Sequence, residues 1–450
     1  MAIERSELEQ ELTGFSGQVV TPSDPAYDEA RRVHNGMVDK RPALIARCLG
    51  AADVVDALRF ARDRALAISV RSGGHNVAGR AVIDDGVVID LSTMKGIHVD
   101  PSTKMAVAQS GLTWAEFNRE TALHGLATTG GTISSTGIAG LTLGGGFGWL
   151  MSKYGLTVDN VLSIDVVTAK GEVLRASASE NDDLFWALRG GGGNFGIALS
   201  FAYTLHPVRQ VTGGLIAHPF DAATDLLRAY RDLTSDLPDE LMTWAALVHA
   251  PDGSGTKLAA FAVCHCGDPS DADADLEPFR SWGSPAMVMV DQMPYPAINM
   301  MLDAGFPRGA RSYWKSNFLN ELDDEAIDGI VGGFAATPSA LSGIVIETLH
   351  GAPTRVPLDA TAAPYREAGH NLLVVGNWLD AADDQANITW ARATYDDVSG
   401  AFAPHRYLNY LDDDDAADAA FGPNGARLAQ IKAVWDPDDV FRSTHRVGRT

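Results

Sequence analysis

The sequence predicts an α+β protein, on three observations. Near the start a strand, a helix and a second strand follow one another and run into a glycine-rich turn. Clusters of three or more glycines then recur through the first half and vanish past about Val208. Beyond that point helix-like and strand-like runs alternate, as in a domain built on a mostly antiparallel sheet with helices on one face.

The elements follow in order. Residues 43–47 form a short strand, and residues 51–64 place Val54, Val55, Leu58 and Ala61 on one helical stripe. Residues 67–70 form a second strand that enters SGGHNVAGR, with further strands at 86–91 and 104–109. Residues 128–148, TTGGTISSTGIAGLTLGGGFG, are too broken by glycine for a helix or a strand. After the helix-like DDLFWAL comes a third cluster, RGGGGNFG at 189–196. In the second half, helices are expected at 222–233, 324–334 and 383–398, and strands at 243–250, 257–266, 311–318, 343–349 and 371–377. The tail carries a strand at 406–411, an acidic run at 412–415 that reads as a solvated turn, and a helix at 424–435.

The 450 residues hold 58 acidic and 35 basic side chains, a net charge of −23. A surface that negative repels phosphate backbones and anionic lipid heads, so neither nucleic acid nor membrane is an expected partner. No apolar run is long enough to span a bilayer, and residues 1–11 lack the basic start and apolar stretch of a secretory signal; a cytoplasmic location is expected. Nothing in the sequence sets the oligomeric state. Cys264, His265 and Cys266 lie in an apolar strand that turns His265 to the opposite face, so they read as two buried thiols and no metal site is expected.

Backbone N–H groups freed by glycine form concave anion sites, so several glycine loops in one domain point to a large phosphorylated cofactor. No cluster is followed by G-K-[ST], which excludes a Walker loop. Gly144–Gly148 lacks the preceding strand and following helix of a nicotinamide fingerprint.

RSGGHNVAG (71–79), GTISSTGIAGLTLGGGFGWLMSKYGLTVDNV (131–161), RGGGGNFGI (189–197), YLNY (407–410) and DPDDVFR (436–442) occur in that order. Together they resemble the FAD-linked oxidases of the berberine bridge enzyme-like group, within the vanillyl-alcohol oxidase superfamily with its PCMH-type FAD-binding domain. The resemblance spans about residues 41–442. It implies a two-subdomain FAD-binding domain over residues 1–208 (core about 40–208), a substrate domain over 209–402, and a segment, 403–450, that returns to the FAD domain.

The resemblance further implies FAD joined covalently to His75, with Arg71, Ser72, Gly73, Gly74, Asn76 and Gly79 around the pyrophosphate and ring. Thr136, Gly137, Gly140, Gly146 and Ile197 complete the cofactor contacts, and Asn409 reaches the flavin. Relatives that add a cysteinyl link carry G-x-C-x-x-x-G, whereas this chain has Ile133 at the cysteine position. One covalent link is therefore expected, through His75, and no cysteinyl link. Tyr407 matches the family's catalytic base. Tyr313, Lys315 and Asn317 share one face of their strand, with Lys315 as the cation that would lower the phenol pKa. Phe147 and Leu373 stand where some relatives have a tyrosine and a glutamate or glutamine.

The implied activity is hydride transfer from an alcohol or amine carbon of a small molecule to flavin, with O₂ as the final acceptor and H₂O₂ as product. Two alternatives stand beside it: a flavin-dependent dehydrogenase or oxygenase of secondary metabolism, and a catalytically silent flavin-binding protein.

Overall fold

The computed structural model describes residues 14–448. Its first unit is a four-stranded sheet of β1 (Gln18–Val20), β2 (Leu44–Arg47), β3 (Ile68–Arg71) and β4 (Val87–Asp90), in the order β1-β2-β4-β3. β4 runs parallel to both β2 and β3. Helix α1 (Ala51–Asp63) crosses over between β2 and β3 and buries Val54, Ala57, Leu58 and Ala61 with Leu44, Ala46, Val87 and Ile89. The apolar spacing of α1 thus places its stripe on the sheet.

Seven short strands follow: β5 (Ile97–Asp100), β6 (Met105–Gln109), β7 (Leu126–Ala127), β8 (Val161–Val167), β9 (Val173–Ser177), β10 (Ile197–Thr204) and β11 (His206–Pro207). β7 and β11 form a two-stranded ribbon, and the other five an antiparallel sheet ordered β5-β6-β10-β8-β9. The glycine-rich stretch between β7 and β8 is not wholly irregular, contrary to expectation. Ile138–Leu143 make a short helix, α2, because IAGLTL offers Ile138, Ala139, Thr142 and Leu143 as one buried face, and its only glycine, Gly140, has open space around it.

Seven strands build the largest sheet: β12 (Gln210–Pro219), β13 (Leu241–His249), β14 (Lys257–His265), β15 (Met287–Pro294), β16 (Arg311–Leu319), β17 (Gly343–Leu349) and β18 (Gly369–Trp378). Every pair in the order β15-β12-β14-β13-β17-β18-β16 is antiparallel. Alternation divides its side chains between two faces. One face carries Ile216, Leu247, Phe261, Ile346 and Val374 and is covered by α3 (Ala223–Leu233), α4 (Pro269–Arg280), α5 (Asp324–Ala335) and α6 (Asp384–Asp397). The other face carries Leu215, Trp244, Ala260, Val345 and Leu373 and looks into a cavity.

The tail packs against the first half: Leu408, Phe421 and Leu428, the last on α7 (Gly425–Trp435), share a core with Trp114, Phe185 and Phe201. Residues 406–411 are not a strand. Tyr407 is extended, and Leu408–Tyr410 close a single 3₁₀ turn. Among the described residues no helix is long and apolar enough to cross a membrane.

Candidate active site

A cavity of about 780 Å³ lies between the glycine-rich loops and the open face of the seven-stranded sheet. This lies in the upper part of the range for ligand pockets, about 300–1,000 Å³, and suits a large ligand.

The glycine wall is built mainly from backbone. Ser72, Gly73, Gly74, His75 and Asn76 line it, with Thr136, Gly137, Gly140 and Ile197 opposite or alongside. The first two loops touch main chain to main chain: a Cβ on Gly73 would fall 2.5 Å from the Gly137 nitrogen, and one on Gly137 2.4 Å from the Gly73 nitrogen. No other residue fits either position unless a loop shifts. The His75 ring stacks on His34, with centroids 3.9 Å apart. Burial pushes the His75 pKa down to about 3 and that of His34 down to about 4, so both imidazoles are neutral at ordinary pH. His75 Nε2 and Asn76 Oδ1 are buried without a hydrogen-bond partner, as are Ser443 Oγ and both ring nitrogens of His445 on the C-terminal side of the same cavity. Backbone-lined loops beside several unpaired polar groups fit a large phosphorylated cofactor.

Three expected cofactor contacts are placed elsewhere. Arg71 does not line the cavity; its guanidinium holds Asp90, its register partner on β4, with Nε 3.1 Å from Oδ1, and it ties this pair to the backbone of Ala30. Gly79, at φ +65°, is required by Val38, whose methyl would lie 2.4 Å from a Cβ. Gly146, at φ +86°, packs on Thr157, whose hydroxyl would lie 2.2 Å from a Cβ. All three shape the loops from behind.

On the substrate side Tyr407 and Asn409 both line the cavity. The Tyr407 ring stacks on Phe147 at 4.0 Å, and its hydroxyl accepts from Asn409 Nδ2 at 2.9 Å and from the Phe147 backbone N–H at 3.1 Å. They come together through the 3₁₀ turn, not through strand alternation. Burial raises the phenol pKa far above its usual value.

Lys315 is absent from the cavity, which corrects the expectation that it serves Tyr407. On β16 the alternation sends Trp314 into the cavity, while Tyr313 joins the helix-covered core and Lys315 shares its face. Lys315 Nζ lies 2.6 Å from Asp414 and 2.7 Å from Asp415. Arg406 also reaches Asp415, and Arg392 reaches Asp414. The acidic run at 412–415 is therefore not a solvated turn: Asp412 is buried and accepts from the Trp314 backbone, and its neighbours anchor the tail to β16.

Glu347 is a candidate functional group that no sequence motif marks. It sits on β17, is 2% exposed and lines the cavity. Its carboxylate accepts from Tyr410 Oη at 2.9 Å and from Asn371 Nδ2 at 2.8 Å, and Asn371 Oδ1 in turn accepts from Ser316 Oγ at 3.1 Å. Burial pushes the Glu347 pKa up to about 7. A signal existed: GIVIETL places a carboxylate in the middle of an otherwise apolar strand, which a protein rarely buries without a use. Leu373, on neighbouring β18, closes the same wall with Val345, its register partner.

The fold and this glycine-lined cavity define an FAD-binding oxidoreductase. Residues 42–177 match the family model of an FAD binding domain, and residues 406–448 the model described as berberine and berberine like. (R)-6-hydroxynicotine oxidase of Paenarthrobacter nicotinovorans is 30% identical over 96% of this chain and 97% of its own length. An uncharacterised FAD-linked oxidoreductase of Bacillus subtilis, YgaK, is 29% identical over 96% and 97%. A crystal structure of 6-hydroxy-D-nicotine oxidase from Arthrobacter nicotinovorans superposes with a TM-score of 0.87 at 28% identity, over 97% of this chain and 98% of that one. The chain belongs to the berberine bridge enzyme-like FAD-linked oxidoreductases.

Proposed function

We propose that this protein is an oxidase that takes a hydride from an alcohol or amine carbon of a small molecule and delivers the electrons to O₂. The observation that carries the reading is His75, a buried neutral imidazole on the wall of the cavity whose Nε2 has no hydrogen-bond partner. A neutral imidazole is a competent nucleophile, so His75 is the residue to hold FAD covalently. Cys48, Cys264 and Cys266 are buried away from the cavity, which supports a single link and no cysteinyl bond. Ser72, Gly73, Gly74, Asn76, Thr136, Gly137, Gly140 and Ile197 would enclose the cofactor. Bound FAD supplies a hydride acceptor that O₂ reoxidises, giving H₂O₂.

The substrate belongs with residues 209–402, a division supported by a seven-stranded sheet drawn wholly from Gln210–Trp378. Tyr407 works as a donor. Its oxygen already receives two N–H groups and burial keeps it protonated, so its own hydrogen is free to hold a substrate oxygen or nitrogen. Phe147, Trp314 and Leu373 exclude water around that point.

Anaerobic addition of alcohols and amines, followed by air, tests the reading. It expects one compound to bleach the flavin and air to restore the colour with one H₂O₂ per turnover. Bleaching with slow reoxidation would make the protein a dehydrogenase, and a panel that never bleaches it would leave a silent flavoprotein.

A further inference from the structure

The buried carboxylates of this protein are satisfied in different ways. Asp90 pairs with Arg71 and Asp436 with Lys432, while Asp53 and Asp412 accept backbone N–H groups away from the cavity. Glu347, 2% exposed, has only the neutral side-chain donors Tyr410 and Asn371. Among the described residues it is also the single carboxylate lining the cavity, and the one lining guanidinium, Arg80, is engaged by Asp413 at 3.0 Å. Around Glu347 the wall is apolar and aromatic: Val345, Leu373 and, directly opposite on β13, Trp244, while Trp314 packs on Tyr410 with ring centroids 6.0 Å apart.

We propose that this chamber selects an apolar organic cation, an amine protonated in solution, whose nitrogen is held by the Glu347 carboxylate. The inference rests on the oxidase reading above, which places substrate between the sheet and the glycine wall. Each oxygen of Glu347 accepts one hydrogen bond and keeps a lone pair for an ammonium N–H. An unpaired charge is costly in so apolar a site, and a cation entering it offsets that cost. Trp244, the register partner of Glu347, adds aromatic surface suited to the same charge. Once held, the ammonium can pass a proton to a Glu347 oxygen: an N–H bond breaks, an O–H bond forms, and the nitrogen regains the lone pair that favours hydride loss from its neighbouring carbon.

The titratable groups that press on Glu347 are Tyr410, Tyr407 and Tyr230, three phenols that burial keeps protonated. Glu347 is therefore the member of the group that titrates near neutrality, ionised at pH 8 and protonated at pH 6.

The test uses the flavin-loaded protein under anaerobic conditions and three probes of one shape, 1-naphthylmethylamine, 1-naphthalenemethanol and 1-naphthoate, with affinity read from the flavin difference spectrum. At pH 8 the amine is expected to bind at least about tenfold more tightly than the alcohol, with the carboxylate weakest. The preference should collapse at pH 6 in the wild type, and at both pH values in Glu347→Gln. Equal binding of amine and alcohol at pH 8, or a preference that survives both treatments, overturns the inference and leaves the oxidase reading intact. Protein purified without flavin would contradict that reading itself, and the inference with it.

Discussion

The two walls of the cavity are made in different ways. The glycine wall presents main chain and meets itself backbone to backbone at Gly73 and Gly137, so its shape depends on the absence of side chains. The sheet wall presents side chains, and which ones it presents is fixed by strand register: Glu347 and Trp314 face inward, whereas Lys315, one residue from Trp314, faces the helices. A loop of the first kind is defined by a local run of sequence. A wall of the second kind is defined only when strands far apart in the chain pair, and shifting one strand by a single residue would exchange its two faces.

Substitutions on the two walls should therefore fail differently. On the glycine wall, His75→Ala is expected to abolish covalent flavin altogether: acid precipitation should give a colourless pellet with all colour in the supernatant. A pellet still yellow would move the attachment to another residue.

Behind the sheet wall, Lys315→Met should cost about 2 kcal/mol of stability, because it removes one of the two cations on Asp415, which keeps Arg406, and one of those on Asp414. Denaturant titration would measure that loss, while the rate of anaerobic flavin reduction should stay within about twofold, since Lys315 lies outside the cavity. A lost rate without lost stability would return Lys315 to the site.

Where the walls meet, Tyr407→Phe removes one donor and should slow anaerobic flavin reduction about a hundredfold. An unchanged rate would dispose of the role given to the Tyr407 hydroxyl.

A pH dependence on the sheet wall completes the comparison. Folding raises the Glu347 pKa to about 7, so the folded state binds a proton that the unfolded chain releases near pH 4.5. The sign follows: stability is fully present below about pH 4.5 and is lost as pH rises to about 7, by about 3 kcal/mol for a fully buried group. Glu347→Gln removes this term, so its melting temperature should gain a few degrees on the wild type between pH 5 and pH 8. Parallel curves would mean that the carboxylate stays ionised in the folded protein.

The same contrast explains what the sequence could reveal. Most second-half strands and helices were legible from period and apolar content, and Gly343–Leu349 matches its expected bounds. Strand β10 is not legible in the sequence because it is buried along nearly its whole length and shows little alternation. The glycine wall was legible because glycine marks a local need, although Gly79 and Gly146 serve Val38 and Thr157 and not the cavity. Arg71 looked like a phosphate ligand because a motif names a residue without naming its partner; the partner, Asp90, comes from the parallel register of β3 and β4. Lys315 and the acidic run carry no sign of one another in the sequence, whereas the fold brings them together across about a hundred residues. Glu347 stayed hidden for the same reason: its use depends on Asn371 and Tyr410, which reach it from another strand and from the tail.

The central claim, that His75 carries the flavin, is tested most directly by digesting the purified protein with trypsin and weighing the peptide from Ser72 to Arg80. A peptide heavier by one FAD less two hydrogens, with fragmentation placing the addition on His75, is the expected result. Recovery of the unmodified peptide, with free FAD in solution, would contradict it.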